Sequence, residues 1–209
     1  MQVVIYGAEN AKAELMNTGT QPGLVVETVS TIVSLLDYPF ANAFLIFSFR
    51  NTDEELKVLR QLKGLVVVDS VIHTLSEIDG SFVRINGWPG FLNSIIEASA
   101  LNEELKRKTE AVFTQFNKSI EWLPDDPGFI TPRVISMIIN EAYFALEEEV
   151  STKENIDLAM KLGTAYPYGP FEWAKKIGLK NIAALLTRLS GENSRYLPSP
   201  LLVKEAADA

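Results

Sequence analysis

The chain has 209 residues, 47% of them hydrophobic and 22% charged, which is ordinary for a folded protein large enough to bury a core without metal or disulfide staples. It has no cysteine, so disulfides, thiolate catalysis and cysteine-ligated zinc are excluded. A formal net charge of −8 argues against a nucleic-acid partner and mildly against a strongly anionic ligand.

The first half alternates strand-like and helix-like segments. Gln2–Tyr6 reads as a short apolar strand, Ala8–Met16 as a helix closed near Gly19, Leu24–Glu27 as a second strand and Val29–Leu36 as a second helix. Ala43–Phe49 is apolar nearly throughout, as suits a strand covered on both faces. Asp53–Leu62 is predicted helical, with acids near its start where the helix dipole favours them. Leu65–Asp69, Phe82–Asn86 and Ser119–Leu123 are further strands. Strands separated by helices of this kind predict right-handed βαβ crossovers and a mostly parallel sheet.

After Pro124–Gly128 only helices are predicted. Phe129–Val150 has apolar residues at helical spacing, and Ser151-Thr152-Lys153-Glu154 has the spacing of a capping box for a helix ending at Gly163. Pro170 stands where the first turn of a helix tolerates proline. Leu179, Ile182, Leu185, Leu186 and Leu189 form an apolar stripe closed by Gly191, and Leu201–Ala207 is a last short helix. Two domains are expected: an α/β domain over 1–123 and an all-helical domain over 124–209. The first ten residues contain no secretory signal and no apolar run reaches the roughly 20 residues of a membrane span, so a cytoplasmic location is expected.

The helical half carries an ordered set of motifs: Asp126-Pro127-Gly128-Phe129-Ile130, Arg133, Asn140-Glu141-Ala142, Ile156-Asp157, Gly169-Pro170-Phe171-Glu172 and Gly178-Leu179, spread over roughly 55 residues, with Arg195–Leu202 beyond them. In order and spacing the set resembles the C-terminal domain of the L-3-hydroxyacyl-CoA dehydrogenases. Ala43–Leu62, Leu65–Ile78 and Phe82–Ser99 are similar to three consecutive segments of the same family's first domain. The resemblance implies a reduced Rossmann-like N-terminal domain followed by the helical domain. It also implies a homodimer through the helical domain, with which the Leu179–Leu189 stripe is compatible. The family oxidises a 3-hydroxyl and passes hydride to NAD.

That chemistry needs a base, a carboxylate to orient it, and polar groups to hold the substrate. The family's histidine falls on Asn86, whose carboxamide has no proton affinity near neutral pH. Its partner carboxylate survives as Glu97, left with nothing to orient. The serine of the family's Asn-Thr-Ser-Ser turn falls on Val71, within Asp69-Ser70-Val71-Ile72, and the asparagine after Pro-Gly-Phe falls on Pro132. A dinucleotide turn needs G-x-G-x-x-G, and Gly7-Ala8-Glu9-Asn10-Ala11 keeps only Gly7, with Glu9 where pyrophosphate belongs. Glu27 follows the second strand at the spacing of a ribose-binding acid, but with the glycine turn broken it reads more readily as a surface acid after a strand. Lys57 matches a lysine the family uses near its ligand and reads equally as a solvated helix residue. Only about 40 residues precede the third strand, where the family carries a helical hairpin that helps cover CoA.

The remaining candidates have plainer readings. His73, the single histidine, lies just past the serine turn without an evident carboxylate partner. Asp125-Asp126 reads as turn and cap chemistry rather than a metal site, Glu147–Glu149 as a solvated helix end, and Trp88 and Phe91 as core aromatics as readily as pocket lining. No metal and no bound NAD are expected. The expected function is that of a non-catalytic, dimeric binding or scaffold descendant of the dehydrogenases, its small ligand or protein partner unnamed. Two alternatives stand: a working dehydrogenase with relocated residues or a completing subunit, and a small-ligand sensor using the interdomain cleft.

Overall fold

The computed structural model describes residues 1–7 and 9–209. Ala8, the first residue of the predicted first helix and part of the glycine turn, lies outside the described residues. The chain divides into two compact units, Met1–Phe129 and Ile130–Ala209.

The first unit is built on a seven-stranded sheet in the order β2-β1-β3-β4-β5-β6-β7. Its strands are β1 (Gln2–Tyr6), β2 (Val25–Val29), β3 (Ala43–Ile46), β4 (Leu65–Asp69), β5 (Val83–Ile85), β6 (Ile95–Ser99) and β7 (Ser119–Trp122). Every pairing is parallel except that of β5 with β6. This is the reduced, mostly parallel Rossmann-like sheet expected. Side-chain alternation divides the interior. Val3, Ile5, Leu45, Val67 and Ile85 face one core, shared with Ala11 and Leu15 of α1 (Glu9–Met16) and Val112 and Phe113 of α3 (Glu103–Thr114). Val4, Phe44, Ile46, Val66 and Val68 face the other, shared with Leu35 and with Leu56 and Leu59 of α2 (Asp53–Leu59). Both faces of the central strands are therefore dry, which is why they read as unbroken apolar runs.

Several local expectations need correction. The predicted helix over Val29–Leu36 is absent: β2 runs on through Val29, and only a 3-10 helix, Val33–Asp37, follows. Val29, Ile32, Val33 and Leu36 mimic helical spacing, but β-branched residues favour the extended chain. β3 stops at Ile46, because the chain turns where the Phe47 N–H bonds Tyr6 O at 2.8 Å. α2 is shorter than predicted; it starts at a Thr52 cap, whose side chain accepts from Glu55 N. Strand β6 and helix α3, capped by Asn102, were not among the predicted elements.

The boundary falls after Phe129 rather than after Leu123. Residues 124–129 belong to the sheet unit because a buried arginine holds them there. Arg84 of β5, wholly inaccessible, bonds Asp125 Oδ1 at 2.6 Å through Nε, donates to the Asp126 carbonyl, and sits 4.3 Å from the centre of the Phe129 ring. Gly128 N–H adds a 2.7 Å bond to Val71 O.

The second unit contains α4 (Thr131–Glu147), α5 (Lys153–Thr164), α6 (Pro170–Ile177), α7 (Leu179–Ser190), a 3-10 turn at Ser194–Tyr196 and α8 (Pro200–Asp208). α4 is shorter at both ends than the predicted Phe129–Val150. The cap of α5 is Thr152, accepting from Asn155 N at 3.3 Å, so the capping-box register begins one residue later than Ser151. In α7, Ile182, Leu185, Leu186 and Leu189 are buried against α4, α6 and α8 of the same unit. Burying each is worth about 1.5–3 kcal/mol to this unit's own core. The stripe is used up inside the unit and is not free to form the dimer face that the sequence suggests.

Candidate functional site

In an open parallel sheet, ligands bind beyond the C-terminal ends of the strands. Tyr6-Gly7, Val29, Asp69 and Asn86 stand at those ends in β1, β2, β4 and β5. Gly7 has φ +114°, and a Cβ there would come within 2.6 Å of Ser48 N and Oγ. The first turn position must be glycine simply to let β1 pass the end of β3. Glu9 is exposed in the first turn of α1. Lys12 stands where the third glycine of the dinucleotide turn would permit close helix–strand packing, and its Nζ donates to Thr28 Oγ1 of β2 at 2.8 Å. The side chains at this turn do not fit a pyrophosphate, which needs bare backbone and no carboxylate at the helix start.

Glu27 is half-buried in β2 opposite Val4; the residue level with the end of β1 is Val29, two positions on. Lys57 is exposed on α2. Val71 is buried and takes part through its carbonyl. Pro132 is buried in the first turn of α4, in the helical unit.

The sheet does bring Asn86 and Glu97 together. The antiparallel register of β5 on β6 pairs Ile85 with Ala98 and so sets Asn86 against Glu97. Asn86 N–H bonds Glu97 O at 2.9 Å, and Asn86 Nδ2 donates to Glu97 Oε2 at 3.1 Å. Asn86 Oδ1 accepts from Trp88 N at 3.3 Å, so both ends of the amide are occupied and the ring of hydrogen bonds fixes its orientation. Glu97 therefore does orient a side chain, contrary to expectation. The side chain it holds is an amide.

His73 is exposed; its carbonyl, not its imidazole, is engaged, accepting from Ser70 Oγ at 2.9 Å and Arg84 Nη1 at 3.2 Å. Asp125 pairs with Arg84 and also accepts from Leu75 N at 2.8 Å, which makes it a structural anchor. Trp88 is buried and Phe91 half-buried. No group of three or more His, Asp or Glu that could hold a metal occurs among the described residues, and no helix among them is long and apolar enough to cross a membrane.

Asp69 was not singled out from sequence. It ends β4, half-buried, and its Oδ1 accepts Gly87 N–H at 2.9 Å. A Cβ on Gly87 would lie 2.7 Å from the carboxyl carbon, so this seat depends on glycine. Burial pushes the Asp69 carboxyl up to about 7, offset only in part by the Gly87 bond. An acid closing the apolar run LVVVD at the C-terminal end of a parallel strand is the signal that could have found it.

Residues 128–208 match the family described as 3-hydroxyacyl-CoA dehydrogenase, C-terminal domain. The chain is 33% identical over 166 residues to the 3-hydroxyadipyl-CoA dehydrogenase of Escherichia coli (strain K12), covering 72% of this chain and 34% of that protein. It is 36% identical over 115 residues to the 3-hydroxybutyryl-CoA dehydrogenase of Bradyrhizobium diazoefficiens, covering 54% and 39%. The match thus spans little more than a third of these relatives' length. Among solved structures, the (S)-3-hydroxybutyryl-CoA dehydrogenase of Ralstonia eutropha shares the fold with a TM-score of 0.75 at 19% identity, over 99% of this chain and 93% of that one. The motifs of the helical unit and the mostly parallel sheet agree with these matches, and the chain belongs to the 3-hydroxyacyl-CoA dehydrogenase family.

Proposed function

We propose that this chain is a non-catalytic descendant of the dehydrogenases, kept as a dimeric binding or scaffold protein. The observation that carries the reading is the Asn86–Glu97 pair: the carboxylate and its hydrogen bond are in place, but the group it holds cannot take a proton from a hydroxyl. Val71 and Pro132 supply no side-chain hydrogen bond, and the turn after β1 presents Glu9 and Lys12 instead of glycines. Self-association would have to use a surface other than the α7 stripe. The test of function is NADH oxidation with acetoacetyl-CoA by the wild type and by Asn86→His. The wild type should show no turnover above buffer, and the variant none either, because the cofactor turn is still missing. Turnover by the wild type would refute the proposal.

A second reading, a working oxidoreductase with relocated residues, is favoured by one observation. Asp69 is a carboxyl at the strand ends whose proton affinity has been brought near neutrality, as a general base requires. Loss of wild-type turnover in Asp69→Asn would establish it.

A further inference from the structure

β2 closes one side of the sheet. In the doubly wound dinucleotide fold two strands stand outside the first, in the order 3-2-1-4-5-6. Here β1 has one such neighbour, and the next strand in the chain, β3, already lies on the opposite side of β1. Residues 30–42 cross to β3 and add no strand beyond β2. The bonding direction at this edge follows from the register. Val25 N–H bonds Met1 O at 2.8 Å, and bonding direction alternates along a strand. Val25, Glu27 and Val29 thus turn their main-chain groups toward β1, while Val26 and Thr28 turn theirs outward. Among the described residues no hydrogen bond reaches the outward N–H and C=O groups of Val26 and Thr28.

Natural sheet edges are usually blunted by lysine, proline, a bulge or a covering loop. The sequence VVETV has no lysine and no proline, and all its residues but Glu27 are β-branched. Large apolar side chains are exposed on the strand and on the crossover that follows: Val25 at 49%, Val33, Leu36, and Phe40 at 91%. Glu27 is half-buried, and among the described residues no hydrogen bond or ion pair meets its carboxylate.

We propose that the outer edge of β2 is a strand-addition site for an extended peptide segment of a partner protein, β-branched in character and carrying a lysine or arginine opposite Glu27. Main-chain bonds to Val26 and Thr28 would supply affinity, and the charge at Glu27 would supply register and choice. A second copy of β2 is the poorer occupant. The antiparallel register that overlaps all of Val25–Val29 sets Glu27 directly opposite Glu27, and like charges so placed are destabilising. This edge site deepens the reading of the chain as a binding descendant and rests on it.

The experiment titrates the ¹⁵N-labelled full chain with two blocked heptapeptides: the sequence of residues 24–30, and the same sequence with Glu27→Lys. The amides of Val26 and Thr28 should shift and exchange more slowly with the lysine peptide, and the glutamate peptide should bind roughly threefold to fivefold more weakly at low salt. In the protein variant Glu27→Lys the preference should invert. Thr28→Pro removes an outward N–H without touching the ladder to β1, so it should abolish the shifts while leaving the fold intact. If that variant does not fold, the Glu27→Lys inversion still decides. No shift at Val26 and Thr28 with either peptide, or equal affinity for both, would overturn the proposal. So would a concentration-dependent dimer of the free chain that Thr28→Pro dissolves, which would assign the edge to a second copy. NADH turnover alongside intact peptide shifts would refute the functional reading and leave the edge site standing.

Discussion

Two asparagines, each 1% exposed, separate the two halves of this molecule. Asn140, in α4 of the helical unit, is part of the family signature. Its Nδ2 donates to Leu197 O at 2.9 Å and its Oδ1 accepts from Ser199 N at 2.8 Å, tying down the chain that leads into α8. Asn86, at the end of β5, is the residue on which the sequence resemblance puts the family's base. Its bonds are longer and local: the one to Glu97 joins residues that the β5–β6 pairing already sets side by side, and the one to Trp88 spans two residues of chain. The first asparagine ties two segments of the fold together; the second closes a local set of hydrogen bonds with Glu97 and Trp88. Other signature residues of the helical unit behave like Asn140. Asp157 accepts from Phe171 N at 2.8 Å at the start of α6, and Gly169 has no room for a side chain, since a Cβ would lie 2.3 Å from Asp157 Oδ1. Glu172 closes the same helix start by accepting from Gly169 N at 2.9 Å. A family signature in this half persists because the helices cannot pack without it. It says nothing of whether the sheet unit can do chemistry.

Four substitutions probe this difference, in falling order of effect. Arg84→Ala should be the most damaging, because it strands Asp125, opens a cavity beneath Phe129 and frees the carbonyls of Ser70 and His73. A loss of about 3–5 kcal/mol by urea unfolding is expected. Asn140→Ala should cost about 2–3 kcal/mol in the same measurement, since two buried main-chain groups lose their partners. Asp69→Asn should act in the other direction. The folded carboxyl is pushed up to about 7 from an ordinary value near 3.8. The folded state therefore holds the proton more tightly, and the wild type loses stability as pH rises from about 4 to about 7. The variant should be more stable than wild type by roughly 1–2 kcal/mol at pH 8, with the gain vanishing toward pH 4. Asn86→Ala should cost least, about 1 kcal/mol, as Glu97 stays near enough to solvent to find water. If Asn86→Ala proved costlier than Asn140→Ala, the division between the halves would be wrong.

Much of the sheet was legible in the sequence because the central strands are dry on both faces. Leu65–Asp69 was predicted to the residue for that reason. What escaped lies where tertiary register decides. β6 is antiparallel to β5 and follows the Gly87–Gly90 turn, and its place in the sheet depends on that non-local pairing, without which Glu97 cannot be placed against Asn86. α3 carried readable cues in Asn102 and Val112–Phe113, but its charged first turns masked the amphipathic pattern. The role of Arg84 was beyond local reading altogether, since an arginine inside the strand FVRIN gives no hint that it will be wholly buried and hold residues 125 to 129. At the candidate site Asn86, Val71 and Pro132 could be singled out only because the family resemblance marks those positions; residue chemistry then says what each side chain can offer. The Asp69–Gly87 seat could not be singled out, because it depends on the approach of two strand ends.

Thermal unfolding of the full chain with saturating NADH and, separately, acetoacetyl-CoA decides whether the sheet unit still takes the family's ligands. A ligand that binds only the folded state at about 100 times its Kd adds about 2.7 kcal/mol, which raises Tm by several degrees. No shift with NADH is expected, because the turn after β1 offers Glu9 and Lys12 where a pyrophosphate needs bare backbone. A clear NADH-dependent rise would refute the loss of the cofactor site and return the chain to the working dehydrogenases.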